Sequence, residues 1–169
     1  MIKLLVMSLK IVVLSLMLVT NVSAETSEGN FYFGNELMKK GQYEEANRVF
    51  KGCQEDKRCL LGAATTSRLI GNNSEAIKYY NQLLNIDPEI EEGYFGRALA
   101  YRSTEEYNMA INDFRIALSK KDSEYSYAGL GDLYILIGRK DMAKSILEEG
   151  LSKYPNSKLI RELIVRTYN

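Results

Sequence analysis

Residues 72–88 read NNSEAIKYYNQLLNIDP. Ala76 and Tyr80 stand four apart, so on a helix they share one face. The apolar run Leu83-Leu84-Asn85-Ile86 continues the helix, and Pro88 sits where a proline blocks continuation. The same layout recurs at GQYEEANRVF (41–50), at YNMAINDFRIAL (107–118) and at GDLYILIGRKDMAKSILEEGL (131–151). Aligning Ala46, Ala76, Ala110 and Ala143 brings four further columns into register. Four residues later stand Phe50, Tyr80, Phe114 and Leu147, all large. Five earlier stand Gly41, Gly71, Glu105 and Gly138. Nine earlier stand Leu37, Ser67, Tyr101 and Tyr134, and twelve earlier the small residues Gly34, Ala64, Ala98 and Gly131. The spacings of 30, 34 and 33 residues define an internal repeat.

Each column has a physical reading. Two small residues, one in each of two helices, let the helix backbones approach closely, and the large residue one turn after the alanine fills the space beside them. The glycines fall where one helix stops and the chain reverses, because glycine accepts the left-handed cap conformation. Pro88 and Pro155, the only prolines, are 67 residues apart, close to two periods.

On these residues the chain resembles the tetratricopeptide-repeat family, whose unit is a 34-residue helix–turn–helix. The resemblance extends over residues 27–156 and implies an all-α, right-handed solenoid. About four repeats are expected, near 27–56, 57–90, 91–123 and 124–156, within a domain spanning 25–169. Residues 157–169 read as a terminal capping helix, with Leu159, Ile160, Leu163, Ile164 and Tyr168 on its apolar face. The first connection is four residues short. Asn73 and Lys140 replace an aromatic, Asp122 stands at a proline position and Glu105 at a glycine position, which puts the loop geometry there in question.

The first 24 residues, MIKLLVMSLKIVVLSLMLVTNVSA, have the three parts of a cleavable secretory signal: Lys3 and Lys10, an apolar run from Ile11 to Val19, and Val22-Ser23-Ala24 before the cut. The apolar run is too short to span a bilayer. Export is expected, to a bacterial periplasm or, as the alternative, by secretion, with no stable membrane insertion after cleavage. The whole chain has 22 basic and 22 acidic side chains, and removing residues 1–24 leaves 20 basic and 22 acidic. That balance argues against nucleic acid as a partner.

Cys53, expected late in the second helix of the first repeat, and Cys59, expected to open the first helix of the next, flank the shortened connection. In an exported protein they are expected to form a disulfide, the alternative being two buried thiols. Their spacing is not that of a redox Cys-x-x-Cys pair.

The chain has no histidine, so a Ser-His-Asp triad and histidine-ligated zinc are excluded within it. Phosphate-binding, dinucleotide and calcium loops are missing from the sequence. The acidic pairs at 44–45, 91–92, 105–106 and 148–149 are adjacent residues, which do not face each other on a helix. Three of these pairs lie near expected helix starts, where negative charge is favoured. No enzyme activity and no cofactor are expected.

The family resemblance implies that the first helix of each hairpin lines a concave binding groove. Its facing residues are Phe31, Asn35 and Met38 in the first repeat, Leu61, Thr65 and Arg68 in the second, Phe95, Leu99 and Arg102 in the third, and Asp132 in the fourth. Phe31, Leu61 and Phe95 would form an apolar stripe, and Arg68 with Arg102 a basic patch able to meet a ligand carboxylate. Some relatives clamp a peptide's terminal carboxylate, but Phe31 and Gly62 stand where that clamp needs polar groups. The expectation is a monomeric exported scaffold or adaptor that binds a protein or peptide segment, in the assembly of an envelope complex. The alternative is a dedicated periplasmic chaperone for one subunit of a secretion, pilus or flagellar system.

Overall fold

The computed structural model describes residues 26–168; the signal segment 1–24 lies outside them. Among the described residues there are nine helices and no strand. They are α1 (Ser27–Lys39), α2 (Tyr43–Lys51), α3 (Lys57–Leu69), α4 (Asn73–Ile86), α5 (Glu91–Ser103), α6 (Tyr107–Lys120), α7 (Glu124–Leu136), α8 (Lys140–Lys153) and α9 (Lys158–Tyr168). The first eight pair into four antiparallel hairpins. Each odd-numbered helix also touches the next odd-numbered one, whereas the even-numbered helices do not touch one another. This places α1, α3, α5 and α7 side by side along one surface of an α-solenoid.

The turn inside each hairpin follows from one backbone position. Gly41, Gly71 and Gly138 adopt φ of 74°, 84° and 75°. The amide of the following residue donates to a carbonyl five residues back: Gln42 to Leu37, Asn72 to Ser67 and Arg139 to Tyr134, at 2.8–2.9 Å. These are the helix-ending bonds that a left-handed residue permits. Glu105 makes the same turn at φ 63°, with Glu106 donating to the Tyr101 carbonyl at 2.9 Å. The loop geometry is therefore preserved without glycine, and the glutamate carries the strain of a left-handed side-chain residue.

The large column residues hold neighbouring hairpins together. Phe50 is fully buried between Gly34 of its own hairpin and Gly62 of the next. A methyl group at Gly34 would lie 2.6 Å from that ring, and one at Gly62 2.7 Å. Tyr80 lies in the same way against Gly96, Phe114 against Gly129, and Leu147 against Gly131. Gly62, Gly96 and Gly129 share one place in repeats two, three and four, fourteen residues before the aligned alanine. The first repeat has Tyr32 there. Among the described residues no hairpin precedes it, and Tyr32 is 58% exposed.

Buried polar groups differ from joint to joint. Between the first two hairpins the amide of Asn47 donates to the Ala63 carbonyl, Thr66 Oγ1 and Ser67 Oγ at 2.8–3.1 Å. Ser67 in turn donates to Glu75, which pairs with Lys51 at 2.7 Å. Lys51, and then Ser67, hold the Glu75 carboxyl below the usual carboxylate range. Within the third hairpin Arg97 grips Asp113 with two bonds of 2.6 and 2.9 Å, and it reaches across the joint to Asn81 Oδ1 of the second hairpin at 2.6 Å. Its guanidinium also lies near the Tyr94 and Tyr101 rings.

Two sequence expectations shift. Cys53 stands just past the end of α2 rather than inside it, and Cys59 is in the first turn of α3. The pair lies at disulfide distance, with Cα atoms 5.7 Å apart. The helix α9 packs against α7 and α8, but its buried face is Ile160, Leu163 and Thr167. Leu159 and Tyr168, expected on that face, are 38% and 67% exposed. A rotation of less than half a turn separates the two faces, and the apolar spacing alone fits both.

Two stability changes follow. Glu105→Gly relieves the left-handed strain and should raise unfolding free energy by about 0.5–1 kcal/mol in urea titration, after the extra chain entropy of glycine is counted. Asp113→Ala leaves Arg97 without its carboxylate in a mostly buried place and should cost about 3–5 kcal/mol in the same measurement.

Candidate partner-binding groove

The ten expected groove residues all lie on the odd-numbered helices, and all ten are half-buried. They are Phe31, Asn35 and Met38 on α1, Leu61, Thr65 and Arg68 on α3, Phe95, Leu99 and Arg102 on α5, and Asp132 on α7. Because these helices stand side by side, the ten share one continuous surface.

The apolar stripe is partly absorbed into packing. Phe31, Met38 and Leu61 rest on the amino-terminal core cluster, and Phe95 and Leu99 on the carboxy-terminal one. The Phe95 ring meets Phe114 edge-on, with centroids 5.8 Å apart. The guanidinium of Arg58 covers Phe31 at 4.6 Å and is itself held by Asp56. The Thr65 hydroxyl lies 3.3 Å from the Tyr80 hydroxyl. What the groove offers a ligand from these residues is their exposed halves.

The basic patch needs correction. Arg102 is bonded to Asp132 at 2.5 Å across the α5–α7 joint. Arg166 of α9 reaches the other oxygen of the same carboxylate at 2.7 Å. Arg102 and Asp132 are therefore partners, and the expectation of two free arginines fails for Arg102. Arg68 differs: among the described residues no carboxylate lies within ion-pair distance of it. Its Nε is buried without a hydrogen-bond partner there, as is that of Arg102. A buried donor left unbonded is costly, so both arginines retain capacity for an acceptor.

Sequence reasoning missed the far end of the groove. Where α9 crosses beside α7, Phe95, Tyr125, Ala128, Gly129, Leu159 and Leu163, with Asp132 and Arg166, line an open recess of about 330 Å³. Tyr125 is 63% exposed and stands over this opening. Tyr125 lies three residues before Ala128, the fourth-repeat counterpart of Phe31, Leu61 and Phe95, so helix periodicity was its one available signal. The part played by Leu159 could be read only once the rotation of α9 was known. Among the described residues no helix is long and apolar enough to cross a membrane, and no three potential ligands gather to hold a metal ion.

Comparison with known proteins agrees with this architecture. A tetratricopeptide-repeat family model matches residues 58–90 and 125–156. Anaphase-promoting complex subunit 3 of Schizosaccharomyces pombe is 28% identical over 111 residues, covering 65% of this chain but only 16% of that protein. The chain thus spans about one sixth of this curated relative. A crystal structure of MamA superposes with a TM-score of 0.75 at 23% identity, covering 86% of this chain and 82% of that one. In the APC/C hetero-tetramer Cut9–Hcn1, a chain superposes with a TM-score of 0.77 at 17% identity, covering 85% of this chain and 30% of that one. A tetratricopeptide-repeat protein from Parabacteroides merdae gives 0.74 at 22%, covering 84% and 57%. The second and fourth hairpins match the tetratricopeptide-repeat model, and the chain has the fold of a tetratricopeptide-repeat scaffold, one suited to protein–protein interaction.

Proposed function

We propose that this protein is an exported scaffold or adaptor that captures an extended segment of another protein along the odd-numbered helices. The observation that carries the reading is the surface itself: four helices side by side, with half-exposed apolar side chains and an arginine, Arg68, that has no carboxylate of its own. Such concave surfaces are the ordinary binding faces of helical repeat proteins. Several groove residues also pack on the cores, so what a partner can meet is their exposed halves together with Arg68.

Export rests on the signal-like segment 1–24 and on the cysteine pair, since disulfides persist in oxidising compartments. A role in assembling an envelope complex follows from combining export with a binding groove. A dedicated chaperone for one subunit is the alternative outcome of the test below.

The test is crosslinked capture from the periplasmic fraction, using the full chain and an Arg68→Glu/Tyr125→Ala variant. Tyr125 replaces Phe95 as the apolar target because Phe95 is built into the Phe114 contact. The variant should lose at least about tenfold in captured partner, as expected for removing a charge-assisted contact and an aromatic anchor. Several captured envelope proteins indicate an adaptor, and one client whose level falls in its absence indicates a chaperone. Equal capture by variant and parent excludes the groove, and absence of the protein from both the periplasm and the medium excludes export.

A further inference from the structure

We propose that the groove reads an extended segment with two features at fixed separation: a carboxylate at Arg68 and a large apolar side chain in the recess under Tyr125. The proposal rests on the groove reading above and adds the chemistry of the partner.

Charge complementarity picks out the first feature. Arg68, Arg102 and Arg166 stand on this surface, and Asp132 is the one carboxylate that bonds to any of them among the described residues. Lys39, at the amino-terminal end, is already paired with Glu36 at 2.6 Å. Glu28 and Glu92 occupy the column of Tyr125 on α1 and α5, so the distinction is local rather than a net charge of the surface: Arg68 has no carboxylate partner among the described residues. Asp132 occupies from within the chain the place a ligand carboxylate would take between Arg102 and Arg166. An incoming acid finds that position filled and Arg68 open.

The recess supplies the second feature. Apart from Asp132 and Arg166 its lining is aromatic, aliphatic or glycine backbone, and the bare side of Gly129 is taken by the Phe114 ring. A volume of about 330 Å³ accommodates one leucine, methionine or phenylalanine side chain with room at the mouth.

The separation follows from helix geometry. The recess lies about one and a half helix spacings from α3, or roughly 12–15 Å at ordinary packing distances. Arg68 is on the last turn of α3, whereas the recess sits against the first half of α7, which adds roughly 10 Å along the helices. The resulting span of about 16–18 Å is about five residues of extended chain. The preferred segment has an acidic residue and a large apolar one about four to six positions apart.

The experiment is selection of a displayed random nonapeptide library on the purified mature chain. The proposal predicts enriched sequences with Asp or Glu four to six positions from Leu, Met or Phe. Arg68→Glu should weaken those peptides about tenfold or more and shift enrichment to Lys or Arg at the acidic position. Asp132→Asn should free Arg102 and Arg166, and the enriched peptides should gain a second acidic residue. Enriched peptides that Tyr125→Ala weakens but that lack the acidic residue overturn this inference while leaving the groove in place. No enrichment, or enrichment indifferent to both Arg68→Glu and Tyr125→Ala, overturns the groove reading as well. Sedimentation as a dimer that Arg68→Glu dissociates would assign the surface to a second copy of this chain and also overturn the proposal.

Discussion

Phe50 stands with its ring between two glycines, one in its own hairpin and one in the next, and this contact recurs along the chain. A large side chain of one hairpin rests on the bare backbone of the helix that opens the following hairpin. Tyr80 on Gly96 and Phe114 on Gly129 repeat it, and Leu147 makes the matching contact with Gly131 inside the last hairpin. Close packing in a protein interior leaves no spare methyl-sized gap, so glycine at these places is what lets successive hairpins approach. The approach brings α1, α3, α5 and α7 side by side, and a continuous groove exists only because they are.

The polar groups at the joints add identity to this common contact. Asn47 with Ser67 and Glu75, and Arg97 with Asp113 and Asn81, are distinct sets buried at successive places. Asn47 meets Thr66 and Ser67 across the first joint and Arg97 meets Asn81 across the second, so exchanging two hairpins would cost these bonds, while Arg97 would keep Asp113 of its own hairpin. Hairpins one and two, and two and three, are therefore matched to each other chemically as well as in shape. The inner surface carries fewer such obligations. There, Arg102 and Arg166 share Asp132, while Arg68 is left to an outside acceptor.

Much of the fold was legible because packing repeats. The five aligned columns place the turns, the hairpins and the solenoid, and the left-handed turn is recognisable even where Glu105 replaces glycine. The second glycine set, Gly62, Gly96 and Gly129, obeys the same alignment but was overlooked. Its reason is the ring of the preceding repeat, which a search within one repeat does not reveal. The ten residues that the family resemblance picks out lie on the odd-numbered helices, and all ten emerge half-buried there. The pairing of Arg102 with Asp132 and Arg166 was not legible, since it joins residues 30 and 34 positions apart through the superhelix. The recess under Tyr125 depends on how far α9 is rotated, and the apolar spacing of α9 fits two rotations.

The seating of a large side chain on glycine is tested most directly by a double-mutant cycle. Phe50→Leu, Gly62→Ala and the double variant would be compared with the parent by urea unfolding. Gly62→Ala alone should cost about 1–3 kcal/mol through overpacking. If the ring is what forbids the methyl group, Phe50→Leu should make room for it, and the double variant should be more stable than the sum of the single effects by about 1 kcal/mol or more. Strictly additive losses would mean that Phe50 and Gly62 do not depend on each other and would contradict the account.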